Sequence, residues 1–115
     1  MRPVDIRLAE FGSTFATRER ASRIAAEVVA RLPVGQERLV FDFAGVRLVS
    51  YSFADELLKQ AASILLGSGV HEVTFSNCNE EVLVVFRSTV EKRGRFADSG
   101  LVTSTHQHSL AIGMA

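Results

Sequence analysis

Hydrophobic and polar positions alternate near the N-terminus: Val4, Ile6 and Leu8 are separated by Asp5, Arg7 and Ala9. Period two is the signature of a half-buried strand. Phe11-Gly12-Ser13-Thr14 breaks the pattern as a turn would. The period then changes. Ala21, Ile24, Ala25, Val28, Val29 and Leu32 fall on one helix face, while Arg18, Glu19, Arg23, Glu27 and Arg31 fall on the other. Glu19–Arg23 and Glu27–Arg31 are i,i+4 pairs in the favourable order. Thr17 is placed to cap this helix, and Pro33 and Gly35 to end it.

The run Arg38–Phe43 reads as a central strand covered on both faces. Ser52-Phe53-Ala54-Asp55 matches a capping box, a hydroxyl followed three residues later by a carboxylate. It predicts a second helix with Phe53, Leu57, Leu58, Ala61, Ile64 and Leu65 inward, stopped by Gly67 and Gly69. Glu72–Ser76 reads as a third strand. Asn79 with Glu80 and Glu81 predicts a third helix start, because acids suit the positive end of a helix. That helix would bury Val82, Val85, Phe86, Thr89 and Val90 and close at Lys92, Arg93 and Gly94. The unbroken run Val82–Phe86 is equally compatible with a strand. Beyond Gly94 the periodicity fails. Ser99–Thr103 is a candidate edge strand, and 104–115 is expected to be a mobile C-terminal tail on a domain of residues 1–103.

This order predicts an α/β domain: a mostly parallel central sheet of three to five strands with three main helices packed on it. Sites on such sheets gather beyond the carboxyl ends of the strands. The loops Gly12–Arg18, Ala44–Ser52 and Ser76–Asn79 should meet there.

Composition narrows the function. At 115 residues, one core can form without staples. Thirteen basic residues balance thirteen acidic ones, which disfavours a nucleic-acid binder. The single cysteine, Cys78, can make no internal disulfide, so a reducing, cytoplasmic setting is expected. The opening MRPVDIRLAE has no apolar stretch of the signal-peptide kind, and no apolar run approaches the ~20 residues of a membrane span. Walker A, G-x-G-x-x-G, H-E-x-x-H and G-x-S-x-G patterns are all missing from the sequence. No catalytic residue, cofactor or metal ligand is assigned, and the expectation is a protein that is not an enzyme. His106 and His108 form an H-x-H pair without evident partner ligands.

Two blocks carry a resemblance. FATRERASRIAAEV (15–28) and VFDFAGVRLVSYSFADELL (40–58) resemble the bacterial STAS-like family of unknown function, a relative of the anti-sigma factor antagonists. The resemblance covers roughly residues 4–93 and implies a small regulatory α/β domain that binds protein partners. In the antagonists, a serine at the start of the helix after the central strand is phosphorylated by a histidine-kinase-like ATPase, which breaks the complex. Laid on this chain, the pattern puts Ser52 at the phosphoacceptor. It also puts Ser50 where the antagonists usually carry aspartate, and Phe53 where they usually carry a small residue.

Each candidate has a plainer reading beside it. Ser52 as N-cap would stabilise the helix by about 1 kcal/mol. Asp55 and Glu56 as dipole partners need no other role. Arg18 is either a solvated charge or a fork reaching Asp42, Asp55 or an anionic partner. Cys78 reads as an unreactive loop or core thiol. The leading expectation is a protein-interaction module whose contact surface uses Arg18, Ser50, Tyr51, Ser52, Phe53, Asp55, Glu56, Asn77 and Asn79. On that surface, Asp55→Lys would abolish binding without unfolding the domain. The first alternative is a constitutive self-associating or docking subunit with no switch, a homodimer through a seam of Leu83 and Val84. The second is a small-molecule sensor using a strand-end pocket near Asp42, Ser50 and Arg18.

Overall fold

Three β-branched or aromatic runs each start a strand, and each is followed by a helix. A computed structural model describes residues 3–33, 35, 38–93 and 100–114. Strands β1 (Val4–Arg7), β3 (Arg38–Asp42) and β5 (Glu72–Ser76) are parallel neighbours. Helices α1 (Arg18–Arg31), α2 (Tyr51–Gly67) and α3 (Glu80–Arg93) follow β2 (Thr14–Phe15), β4 (Leu48–Val49) and β5. The ambiguous run Val82–Phe86 lies inside α3, so it is helical. The fold is therefore α/β with three helices and a five-stranded sheet, as the patterning predicts; the sheet is mixed, with β1, β3 and β5 as its parallel part.

The mixture comes from the C-terminus. Residues expected to form a mobile tail instead make a hairpin of β6 (Leu101–His106) and β7 (Ser109–Met114). β7 pairs antiparallel with β5, giving the order β1-β3-β5-β7-β6. Its inward residues Leu110 and Ile112 are buried in the same core as Val73 and Phe75. An apolar strand that completes a sheet cannot be a solvated tail. β6 contains most of the anticipated edge strand; Ser99 and Gly94 lie outside the described residues.

Register sorts the sheet into two faces. Leu39, Phe41, Val73, Phe75, Leu110 and Ile112 share one face and are buried under the helices. On the opposite face Arg38, Val40, Asp42, Glu72, Thr74, Ser76, Ala111 and Gly113 are half-buried or exposed. The expectation that β3 is covered on both faces is thus corrected: among the described residues, helices cover one. Arg38 and Glu72 pair on the open face at 3.3 Å. The core is aromatic at its centre, with Phe75 against Phe41, Phe43 and Phe86 at ring separations of 5.5, 6.2 and 4.8 Å.

The helix faces follow the predicted spacing with two exceptions. Val29, assigned to the inward face of α1, is half exposed. Leu83, assigned with Val84 to an outer seam, is buried, which leaves Val84 alone outside. Thr17 caps α1 by accepting from the Arg20 amide at 3.2 Å, as its position predicts. Among the described residues no helix is long and apolar enough to cross a membrane.

Candidate functional site

The three loops at the carboxyl ends of β1, β3 and β5 meet as the topology requires. β2 and β4 pair in parallel as a separate two-stranded sheet, Thr14 against Leu48 and Phe15 against Val49. The Arg47 amide donates to the Ser13 carbonyl and the Ser50 amide to the Phe15 carbonyl, both at 2.8 Å. Gly45 makes the turn into β4 possible. The Val46 amide closes back on the Phe43 carbonyl at 3.0 Å, and the third turn position takes φ +84°, which glycine adopts without strain.

The third loop is tied in by two asparagines. The Asn79 amide group donates to the Val46 and Arg47 carbonyls at 3.2 and 3.0 Å, while its oxygen caps α3 by accepting from the Val82 amide at 2.8 Å. Asn77 adopts φ 54°, a left-handed conformation asparagine tolerates, and donates to Asp42 Oδ1 at 3.0 Å. Asp42 Oδ1 also accepts from the Ala44 amide at 2.9 Å. A fourth segment arrives from the hairpin, where the Cys78 amide donates to the His108 carbonyl at 2.9 Å.

The start of α2 is capped by Ser50, not Ser52. Ser50 Oγ accepts from the Phe53 amide at 3.0 Å and donates to the Ala16 carbonyl at 2.8 Å, so it joins the starts of α1 and α2. The expected capping box does not form: the cap lies two residues earlier, where β2–β4 pairing fixes the turn of the chain, and Phe53 stands three residues after it. Ser52 becomes the second residue of the helix, exposed, and among the described residues its hydroxyl has no hydrogen-bond partner. We expect Ser50→Ala to cost about 1–2 kcal/mol. Ser52→Ala should change stability by less than about 0.5 kcal/mol. Urea midpoints of the two variants check this, and a larger loss at Ser52 would contradict the capping frame.

Two residues of the anticipated contact surface are interior. Phe53 is fully buried and packs on Phe15 at 5.0 Å between ring centroids, so it can touch no partner. Asp55 is 3% exposed and bound by Arg18 Nη1 at 2.7 Å. Of the targets open to Arg18, the fold selects Asp55, with Glu56 at 3.8 Å. Glu56 is half-buried and accepts from Gln60 at 2.7 Å. Asp42, Ser50 and Arg18, expected to line one ligand pocket, are each engaged by different neighbours. Cys78 is buried, and burial, then the nearby Asp42 charge, pushes its thiol up to about 12, so it stays protonated at neutral pH.

What the surface offers instead is an apolar pair that sequence reasoning half missed. Leu48 is 46% and Tyr51 48% exposed, three residues apart at the β4–α2 junction, with Ser52 beside them. Arg47, Leu48, Asn79, Glu80 and Glu81 line an adjoining cleft of about 410 Å³. A two-residue strand is too short for alternation to reveal that Leu48 faces out. Arg47 and the Gln107–His108 turn also come to this end of the molecule without a signal in the local pattern.

No protein-family model matches the chain, and no curated protein or solved structure matches it.

Proposed function

We propose that this domain is a non-catalytic, STAS-like protein-interaction module of the cytoplasm, and that it binds its partner through the strand-end surface centred on Leu48, Tyr51 and Ser52. One observation carries the reading. Two large apolar side chains stand half exposed on a frame whose neighbouring polar groups are tied down: Ser50, Asp42, Asn77 and Asn79 all hold the loops in place. A rigid, partly apolar patch with a polar rim suits a protein contact, because little ordering entropy remains to be lost. The resemblance of residues 40–58 to the STAS-like family supports the same surface, and suggests a histidine-kinase-like ATPase as partner.

Ser52 is the switch in this reading. Its hydroxyl is exposed and free of the capping duty that Ser50 performs. A phosphate there would sit in the first turn of α2, where the helix end favours negative charge. It would also bring about two negative charges beside Leu48 and Tyr51, and desolvating them would oppose docking. Asp55 and Glu56 lie on the same helix face one turn on, and Arg18 already offsets both.

Capture from extracts of the source cells tests this, using wild type, Ser52→Asp and Leu48→Asp, together with the intact mass of the endogenous protein. A partner held by wild type and weakened at least tenfold by both variants, plus an endogenous species heavier by one phosphate, is the expected result. A partner held equally by all three would overturn the surface. An unmodified mass with binding lost only in Leu48→Asp would keep the surface and remove the switch.

A further inference from the structure

The outer side of α3 carries two acids one turn before an exposed valine and a base one turn after it, with a further acid, Glu91, one turn beyond the base. Val82, Leu83, Phe86 and Thr89 are buried, while Glu80, Glu81, Val84, Arg87 and Glu91 are exposed. Val84 is 47% exposed. Glu80 and Glu81 lie about one turn before it and Arg87 about one turn after, on the same stripe. Among the described residues none of these three charges has an ion-pair partner. A groove of about 310 Å³ runs beside the stripe, between α3 and the Gln107–His108 turn.

We propose that this stripe docks on the same stripe of a second copy of the chain, the two α3 helices antiparallel about a two-fold axis at Val84. A two-fold axis there sets position 84 − n opposite 84 + n. Glu81 then faces Arg87 of the other copy, Glu80 faces Ser88, and the two valines meet at the centre. Symmetry makes each charged contact twice. A parallel arrangement would instead set acid on acid. In the antiparallel image Arg87 finds Glu81 in both directions, while Glu80 faces Ser88 and Glu91 falls opposite position 77, beyond the start of the other helix. The area of one helix stripe falls short of the ~800 Å² per partner of a stable interface, so the dimer is weak, in the micromolar range. The stripe meets the Leu48–Tyr51–Ser52 patch at Glu80 and Glu81, which also line the cleft beside Leu48, whereas Val84 and Arg87 lie outside that cleft.

Sedimentation of the purified chain from about 10 μM to about 1 mM, with cysteine cross-linking, tests it. Wild type should shift from monomer to dimer, and Arg87→Glu should weaken the dimer at least tenfold by setting three acids together. Val84→Cys should give a disulfide-linked dimer under mild oxidation, because the axis brings the two thiols together. Leu66→Cys, at a residue 61% exposed on α2, should not. The native Cys78 is buried and does not interfere. Wild type that stays monomeric throughout, or Leu66→Cys linking as readily as Val84→Cys, would overturn the proposal.

Discussion

Asp55→Lys should remove much of the domain's stability. On sequence alone the position reads as a surface site, because an acid near the start of a helix is ordinarily solvated. Here the carboxylate is 3% exposed and held at 2.7 Å by Arg18, from an element 37 residues earlier. Removing one member of a buried pair costs about 3–5 kcal/mol, and lysine adds a second cation against Arg18. Domains of this size are stable by only about 5–15 kcal/mol. Arg18→Met should cost less, since the guanidinium side is 45% exposed and water can reach what it leaves. Far-ultraviolet circular dichroism and urea titration read both. A folded Asp55→Lys protein with the wild-type midpoint would mean that the pair does not hold α1 to α2.

Phe75→Ala should be nearly as damaging, by cavity rather than charge. Phe75 is fully buried in β5 and stacks on Phe86 and Phe41, with Phe43 tilted against it. Its loss removes a ring from the middle of four, where no neighbour can collapse without leaving its own contacts. Phe→Ala at such sites costs about 3–5 kcal/mol. Phe75→Leu should recover much of this, because volume is largely kept. The urea midpoints should rank wild type, Leu, Ala. Equal stability of Phe75→Ala and wild type would contradict the packing.

The helices, the three parallel strands and the convergence of three loops were legible because each depends on local period and topology. So was the cap at Asn79. What could not be read is decided at a distance. Ser50 and Ser52 both precede a helical pattern, and Ser52 with Asp55 makes the better local capping box. Pairing of Phe15 with the Ser50 amide chooses Ser50. The burial of Asp55 depends on Arg18 in the same way. The hairpin at the C-terminus is different, because a signal was present: Leu110 and Ile112 alternate with small residues. Set among Ser, His, Gly and Ala, two apolar positions were too few to distinguish a strand from a solvated end. Leu48 stayed hidden because a two-residue strand has no period.

Hydrogen exchange of the domain with and without its captured partner tests the central claim most directly. The predicted result is added protection at 47–56 and 77–81, with the open sheet face and the C-terminal half of α1 unchanged. Protection confined to the open sheet face or to the back of α1, with 47–56 exchanging as in the free protein, would contradict it.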